Sequence, residues 1–473
     1  MPIQNNIQKF NDLRKEYPIF VYDSYHYEVA VNGDFVISFL FSVGVEIHYN
    51  PTICIKQHPL FDNFSTNQNV EKLKDFVFSI GMIELLSYWK ATCSPVIEVK
   101  AGGLDNEAVL FWKKLYFNGL GEFFYTNSIE ITLDEMVEII PNSSVCAEKK
   151  IFGLKDETIV PIGGGKDSVV TLEVLRTFQS VIPLIINPRE ATLETLKIAG
   201  FEGNFLEIQR RIDPILLELN AKGFLNGHTP FSAMLAFYSL LLGVLSGRKN
   251  IALSNESSAN EATVLGTTIN HQYSKSYEFE SDFRRYLKRY LSDELNYYSF
   301  LRPLSELQIA LLFSQYSSYF QVFKSCNAGS KQDIWCGNCP KCLFTFIILS
   351  PFVSPQKMQE IFGENLFEKS SLLYTLQELC GQTAEKPFEC VGTVEEVCIA
   401  LSQTLKQYEE LPVLLRYFAE TDLYKKYVQF DFNQQLTHFE VNHFLKGEEL
   451  NRLKTIINNY QYEKILILNC IIS

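Results

Sequence analysis

Residues 158–172 have the sequence TIVPIGGGKDSVVTL: an apolar run, three consecutive glycines and an apolar helical pattern. This pattern predicts a buried strand that ends at Ile162, a glycine turn, and a helix that starts at about Ser168. Glycine lets the backbone approach a ligand without a Cβ in the way, and the free N–H groups at a helix start attract anions. We therefore predict a phosphate-binding turn; the alternative is a strand–turn–helix connection without a ligand.

Two common phosphate loops do not match this turn. The P-loop pattern requires glycine where Val160 stands and Ser or Thr where Asp167 stands. The dinucleotide-binding pattern requires glycine at Ser168 and an acidic residue after the next strand, where Asn187 stands. The turn instead resembles the Ser-Gly-Gly-x-Asp-Ser loop of the ATP pyrophosphatase family, with Gly163 in place of the first serine. The resemblance implies cleavage of ATP between its α- and β-phosphates.

The overall composition indicates a globular, cytoplasmic protein. The chain has 473 residues, of which 47% are hydrophobic and 21% charged, which predicts two or three domains with ample core. The net charge of -13 argues against a broad nucleic-acid surface. Residues 1–6 lack a secretory pattern, and the uncharged run near 223–247 contains His228 and Pro230, so we expect a buried helix and no membrane span.

Three regions differ in their patterns. We expect an α+β domain over 1–150, an ATP pyrophosphatase-like domain over 151–350 and a mainly helical region over 351–473. The middle region alternates strands with helices, which predicts an α/β fold: a parallel sheet with helices on both faces and a ligand at the carboxyl ends of the strands. The expected strands are 158–162, 181–187, 205–209 and 251–255, and the expected helices are 168–178, 190–199, 211–220 and 230–246.

Four cysteines near residue 335 have metal-ligand spacing. Cys336, Cys339 and Cys342 form a CxxCxxC motif, and Cys326 lies upstream. Four thiolates suit tetrahedral zinc with no open position, so we expect a structural zinc site. An iron–sulfur cluster is the main alternative, and four free buried cysteines are the other. The odd total of 11 cysteines and this cluster fit a reducing compartment better than a disulfide framework.

Polar residues follow the fourth expected strand and should lie on the same edge as the glycine turn. Glu256 or Glu261 could bind Mg²⁺, which prefers carboxylate and phosphate oxygens. Lys275 could neutralise pyrophosphate or a substrate carboxylate. His271 could transfer protons near neutral pH, and His228 lies in a loop before a buried helix, where it is either a site group or a neighbour of the helix cap. For each of them the alternative is a solvated loop residue.

Seven stretches together resemble the ATP-dependent UDP-N-acetylmuramoyl-L-alanyl-L-glutamate epimerase family. They are residues 84–91, 112–125, 163–168, 254–261, 270–275, 336–346 and 386–392. The resemblance implies a UDP-muramoyl dipeptide substrate whose glutamate carboxylate is activated as an acyl-adenylate, so that a base can remove the α-proton and a proton can return to the other face.

The same resemblance assigns roles to individual residues. The phosphates of ATP and Mg²⁺ would bind Gly163, Gly164, Gly165, Lys166, Asp167 and Ser168. Adenine would contact the backbone at Ile186 and Asn187. The candidates for catalysis are His228, His271, Glu256 and Lys275, and the sequence does not decide which of them is the acid and which the base.

Two other functions remain open at this point. The cysteine cluster behind an ATP pyrophosphatase-type loop also resembles 7-cyano-7-deazaguanine synthase, which adenylates a carboxylate and then adds ammonia, although that family is shorter and lacks the first domain. A zinc-bearing nucleotide-binding module without turnover is the alternative from another class. The oligomeric state does not follow from the sequence.

Overall fold

The computed structural model describes residues 4–64, 70–144 and 149–472. Residues 1–3, on which part of the leader expectation rests, lie outside them. The strands are β1 (Ile19–Val29), β2 (Phe35–Val43), β3 (Ile47–Tyr49), β4 (Thr52–Ile55), β5 (Val96–Val99), β6 (Glu138–Pro141), β7 (Lys155–Pro161), β8 (Val181–Ile186), β9 (Leu206–Arg211), β10 (Arg248–Leu253) and β11 (Asn296–Ser299).

Helices connect and cover these strands. Up to residue 250 they are α1 (Ile7–Glu16), α2 (Lys74–Trp89), α3 (Asn106–Gly119), α4 (Gly121–Thr126), α5 (Leu133–Met136), α6 (Lys166–Leu175), α7 (Glu190–Ile198), α8 (Pro214–Ala221) and α9 (Phe231–Leu245). The later ones are α10 (Tyr277–Tyr286), α11 (Glu306–Ser314), α12 (Pro340–Leu349), α13 (Pro355–Phe362), α14 (Leu373–Leu379), α15 (Val394–Thr404), α16 (Val413–Ala419), α17 (Asp422–Tyr427), α18 (Phe432–Gln435) and α19 (Gly447–Ile472).

A single mixed sheet runs through the molecule in the order β11-β10-β7-β8-β9-β4-β2-β1-β5-β6, with β3 added beside β2. The strands from β11 to β9 pair in parallel, as expected for strands joined by helices. β4 then pairs antiparallel with β9, and β1, β2 and β4 form an antiparallel group. The α/β prediction is therefore confirmed as a large, mostly parallel mixed sheet with helices; the ATP pyrophosphatase-like assignment and the division near 150 and 350 stay predictions.

Both faces of the parallel part are buried. Neighbouring residues of one strand belong to different hydrophobic clusters: Ile159 of β7 and Ile251 of β10 to one, Val160 and Ala252 to the other. Because successive side chains of a strand point to opposite faces, the two clusters are the two sides of the sheet. One contains α2 and α9, and the other contains α6, α11 and α12.

The strands and helices around the glycine turn agree with the sequence. β7 ends at Pro161, and α6 begins at Lys166 with Gly165 as its N-cap, two residues before the expected start. The four-residue β11 was not predicted, because its sequence NYYS is too short to show a period. In the C-terminal region, residues described between 351 and 472 form helices, and Gln308 of α11 binds that region by donating to the carbonyls of Leu436 and His438 at 3.0 and 2.9 Å.

A buried ion pair fastens the two parts of the sheet. Arg210 of β9 donates from Nε and a terminal nitrogen to the carboxylate of Glu84 in α2, at 2.6 and 2.8 Å, and Tyr238 of α9 donates to the same carboxylate. Breaking such a buried pair from one side costs about 3–5 kcal/mol. In the part of the chain that the structure describes, no helix is both long and apolar enough to cross a bilayer.

Candidate active site

A cleft of about 590 Å³ opens at the carboxyl ends of β7, β8 and β10, where the sequence pattern placed the ligand. The chain just after each strand forms its wall, at Ile162, Asn187 and Ser254. Its charged lining is mainly basic, although the whole chain is acidic. The charged side chains of the wall are Asp167, Arg189, Lys275, Lys324, Lys331 and Lys341. Such a surface suits a ligand with several negative charges.

The glycine turn lines this cleft through Gly163, Gly165, Asp167 and Ser168. Gly164 has φ +82°, a conformation that a residue with a Cβ rarely adopts. A Cβ at Gly165 would lie 2.7 Å from Ser325 Oγ, whereas a Cβ at Gly163 would meet no atom within 4 Å. The turn therefore requires glycine at 164, while position 163 has room for the serine of the ATP pyrophosphatase motif.

Lys166 lies inside the protein instead of at the cleft surface. Its residue is 2% exposed, and its ammonium forms ion pairs with Asp167 and Glu306 of α11. Burial alone would lower the pKa of Lys166, but the two carboxylates outweigh it and raise that pKa. Burial raises the pKa of Glu306 to about 8 against the opposing charge of Lys166.

Asp167 is the acidic group that this arrangement presents to the cleft. Burial opposes its ionisation, but Lys166, Lys341 and Lys275 hold its pKa below the usual value. Carboxylate oxygens bind Mg²⁺, so Asp167 could hold that ion with a bound phosphate. Glu306 was not found from the sequence, because it stands in an apolar helix with no motif around it.

Ile186 and Asn187 line the cleft at the end of β8. Asn187 adopts φ +49°, and its side-chain oxygen accepts from the backbone N–H of Arg210 at 2.8 Å. Its own N–H donates to the carbonyl of Ile208 at 2.7 Å. The Asn187 side chain thus fixes the turn, and a ligand would meet mainly backbone here, as expected from the sequence.

The four clustered cysteines come together beside the cleft. Their ligand atoms lie within 4.8 Å of one another, with sulfur pairs at 3.8 Å (Cys326–Cys339), 3.7 Å (Cys336–Cys342) and 3.5 Å (Cys339–Cys342). A tetrahedron with Zn–S bonds near 2.3 Å has edges of about 3.8 Å. An iron–sulfur cluster binds each thiolate at a different corner, which needs larger separations. The cluster therefore fits one tetrahedral metal ion, and Cys326 also lines the cleft.

A second polar group lies behind the wall near Lys275. His271 Nδ1 lies 2.5 Å from Glu122 Oε2, and His228 Nδ1 lies 3.3 Å from the same oxygen. Lys90, at the end of α2, fixes the His228 loop by donating to the carbonyl of Gly227 and, at 2.6 Å, to Thr229 Oγ1. Both imidazoles thus share one carboxylate from the N-terminal part of the chain.

Cys390 connects this polar group to the cleft. It lines the cleft beside Lys275, whose Nζ is 3.1 Å from its Sγ, and it is hydrogen-bonded to the side chain of His271. Glu122 and Cys390 were not identified as site residues from the sequence: Glu122 stands in an aromatic stretch interpreted as core, and Cys390 belongs to no spacing motif.

The protonation states in this group differ strongly. Burial would lower the pKa of His271, but Cys390 and Glu122 raise it to about 9. Burial and the neighbouring His271 lower the pKa of His228 to about 4. Burial would raise the pKa of Cys390, but Lys275 and His271 lower it to about 6. At pH 7 the group therefore contains a thiolate, an imidazolium and a neutral imidazole.

The two predicted glutamates have protein partners. Glu256 is buried, and its carboxylate accepts from Ser258 Oγ at 3.1 Å. Glu261 is ion-paired with Lys386. Neither belongs to the described lining of the cleft, which includes their neighbours Ser254 and Asn255. Metal binding by these two carboxylates stays a prediction, as do the catalytic roles of Glu256, His228, His271 and Lys275.

An α/β sheet with a basic, glycine-lined cleft at its carboxyl edge and a thiolate–imidazolium pair in the wall defines an enzyme-like, anion-binding α/β protein. Comparison with known families narrows this class. The model of the MurL N-terminal domain matches residues 11–300, and that of the MurL C-terminal domain matches residues 322–426. The chain belongs to the MurL family, a family of isomerase-type enzymes, and the resemblance found in the sequence is confirmed at this level.

Three relatives carry the name UDP-N-acetyl-alpha-D-muramoyl-L-alanyl-L-glutamate epimerase. One from Salinispora tropica is 33% identical over 414 residues, which covers 85% of this chain and 89% of the relative. One from a Micromonospora species is 36% identical, covering 70% and 75%. One from Xanthomonas oryzae is 33% identical, covering 72% and 77%.

Proposed function

We propose that this protein inverts the terminal L-glutamate of UDP-N-acetylmuramoyl-L-alanyl-L-glutamate to D-glutamate in peptidoglycan precursor synthesis, and that ATP activates the glutamate carboxylate. The names of the three relatives support the reaction and the substrate. The observation that carries the ATP-dependent route is the glycine turn at the start of α6 in a cleft with five basic side chains, because such a cleft suits a nucleotide triphosphate.

Activation solves a chemical problem. The α-hydrogen of a free glutamate carboxylate is weakly acidic, since the carboxylate already carries a negative charge. In the proposed step a carboxylate oxygen attacks the α-phosphorus of ATP and pyrophosphate leaves. The resulting mixed anhydride resembles an ester and acidifies the α-carbon, so a base removes the proton and a proton returns to the other face. Water then cleaves the anhydride and releases AMP with the D-glutamyl product.

The residues of the turn have defined tasks in this proposal. The N-terminal N–H groups of α6 and the side chain of Ser168 bind phosphate oxygens, and the backbone at Gly163 and Gly165 lies close enough for direct contact. Lys324, Lys331 and Lys341 neutralise phosphate charge. Asp167 holds Mg²⁺, which supplies further charge neutralisation at the phosphates. Lys166 keeps Asp167 ionised and in place, and so acts through Asp167.

A direct assay tests the proposal. The protein is incubated in D₂O with ATP, Mg²⁺ and the L-glutamyl substrate, and AMP, pyrophosphate, product configuration and α-deuterium are measured. The expected result is D-glutamyl product with deuterium at the α-carbon and with AMP. Product without AMP contradicts ATP activation, and product without deuterium contradicts proton exchange. Nucleotide binding without AMP indicates a binding module, and an amide formed only with ammonia indicates an amidating enzyme.

A further inference from the structure

Cys390 is the end, at the cleft surface, of a row of polar groups that begins inside the protein. Glu122 accepts from His271, and the same imidazole is hydrogen-bonded to the Cys390 thiol. Cys390 in turn belongs to the cleft lining together with the glycine turn. A reactive group, a base and a carboxylate that orients the base are the parts of an activated thiol site. Cys390 is not part of the four-cysteine cluster.

The loop that carries Cys390 is held from three sides. Lys341 of α12 donates to the carbonyl of Cys390. Gln272 donates to the carbonyl of Val391 at 3.2 Å. Lys386 donates to the carbonyl of Gly392 at 2.9 Å. Three long side chains therefore fix a short loop without regular structure, which is what a group with a defined position toward a substrate requires.

The charges around Cys390 favour its ionised form. Burial raises the pKa of its thiol, but Lys275, His271 and Lys341 together lower it to about 6. Its neighbour Glu389, also mostly buried, has a pKa raised to about 7. Burial would lower the pKa of Lys275, but Cys390 and Glu256 raise it above its usual value, so Lys275 holds its proton. The cleft surface thus presents a proton acceptor next to a fixed cation.

We propose that Cys390 is a catalytic residue that takes or returns the α-proton of the activated glutamyl group on one face, with His271 and Glu122 as its positioning residues. The inference rests on the proposed function and names a proton-transfer residue in it. In the forward step the Cα–H bond breaks, an S–H bond forms, and the electron pair stays on the activated acyl group as an enolate. The proton for the opposite face comes from a separate acid or water, and Cys390 returns its own proton to solvent before the next turnover.

The other ionisable candidates are less exposed to a substrate. His271 lies behind Cys390, with one ring nitrogen on Glu122. His228 faces the same carboxylate. Glu256 is buried on Ser258. Within the described cleft lining, Lys275 and Cys390 are the two members of this group that a substrate can touch.

Separating activation from inversion tests this role. The variants Cys390→Ala and Cys390→Ser are compared with Cys54→Ser, a cysteine on β4 outside the cleft. We expect α-hydrogen exchange with solvent to fall at least about 100-fold in both Cys390 variants, while AMP formation from ATP and substrate stays within about threefold of wild type. Unchanged metal content and thermal unfolding show that the variants are folded. Exchange within about threefold of wild type in Cys390→Ala overturns the proposal.

A second readout does not depend on turnover. Alkylation of Cys390 by iodoacetamide, followed by mass spectrometry against pH, should show a midpoint near 6, and Lys275→Met or His271→Gln should move it upward. A midpoint near the ordinary thiol value of about 8.5 overturns the proposal. A substrate-derived acyl group on Cys390 in acid-quenched turnover mixtures also overturns it, in favour of covalent catalysis. If the wild type forms no AMP while the alkylation midpoint is near 6, the proposed ATP activation fails and the thiolate stands.

Discussion

The cleft has two chemically different parts. The first, which we call the loop wall, consists of Gly163, Gly165, Asp167 and Ser168, and comes from one continuous segment. The second, the thiol wall, consists of Lys275 and Cys390, with His271 and Glu122 behind it, and comes from three distant segments. The loop wall offers N–H groups and one carboxylate, which suit phosphate and its metal. The thiol wall offers groups in opposite protonation states, which suit proton transfer.

This difference suggests a division of labour, since each wall serves one half of an activated epimerisation. The two are still electrostatically connected: Lys275 of the thiol wall is among the cations that lower the pKa of Asp167 in the loop wall. A carboxylate bound at the loop wall can therefore reach the thiol wall within one cleft. The following predictions test whether the two functions separate, in order of decreasing expected effect.

The largest effect should come from the metal cluster that supports the loop wall. Cys339→Ser removes one of four thiolates, and structural zinc in such sites contributes roughly 10–16 kcal/mol, about as much as the whole stability of a domain. We expect loss of the bound metal and cooperative unfolding at a much lower temperature, measured by metal analysis and calorimetry. Cys390→Ser is the matched control and should keep both. A folded, metal-free Cys339→Ser protein would refute the structural role.

The next effect separates the walls by chemistry. Asp167→Ala should reduce pyrophosphate release by roughly 10³-fold, because it removes the carboxylate that faces the phosphates and leaves Lys166 with Glu306 alone. Asp422→Ala, an exposed aspartate of α17, is the control. Stopped assays with labelled ATP measure the rate. Persistent ATP cleavage by Asp167→Ala would exclude this residue from the phosphate site.

The third prediction concerns pH. The exchange step needs the Cys390 thiolate, which is lost as pH falls through about 6, and the His271 imidazolium, which is lost as pH rises through about 9. Exchange should therefore be bell-shaped with limbs near these values. Glu122→Gln removes a carboxylate that raises the pKa of His271, so the upper limb should move to lower pH by about one unit. An upper limb that does not move in this variant would separate Glu122 from the thiol wall.

The smallest effect is expected at Gly163. Because a Cβ there meets no atom within 4 Å, Gly163→Ser should change stability by less than about 0.5 kcal/mol and leave ATP cleavage intact. Gly164→Ala is the contrasting variant: φ +82° makes a Cβ strained, at a cost of about 1–2 kcal/mol. Thermal unfolding and ATP titrations compare the two. Equal losses in both would mean that the turn requires its first glycine for another reason.

The sequence predicted the loop wall better than the thiol wall, for a physical reason. The glycine turn, the CxxCxxC motif and the strands β7, β8, β9 and β10 are local patterns in which period or spacing carries the information. Glu122, His271 and Cys390 meet only after the sheet has formed, so no local pattern marks them. Lys166 shows the same limit: its place in the turn suggested phosphate binding, but burial beside Glu306 depends on α11, which lies 140 residues later.

The continuous sheet also escaped the sequence patterns. An antiparallel pair formed by β4 and β9 joins residues 52–55 to 208–211, and no turn or spacing connects them. The interpretation of separate regions rested on a change from hairpin to alternating pattern near residue 150. The structure shows that strands on both sides of that position belong to one sheet.

The β4–β9 pair has a consequence for synthesis of the chain on the ribosome. β9 begins at Leu206, and β4 ends at Ile55, so at about 5–20 residues per second the edge of β4 waits roughly 8–30 s for its partner. An open strand edge is a template for pairing between nascent chains. The polysome therefore brings together several copies of the same unpaired edge, and slow translation between these strands should lower the yield of native protein even when the finished fold is stable.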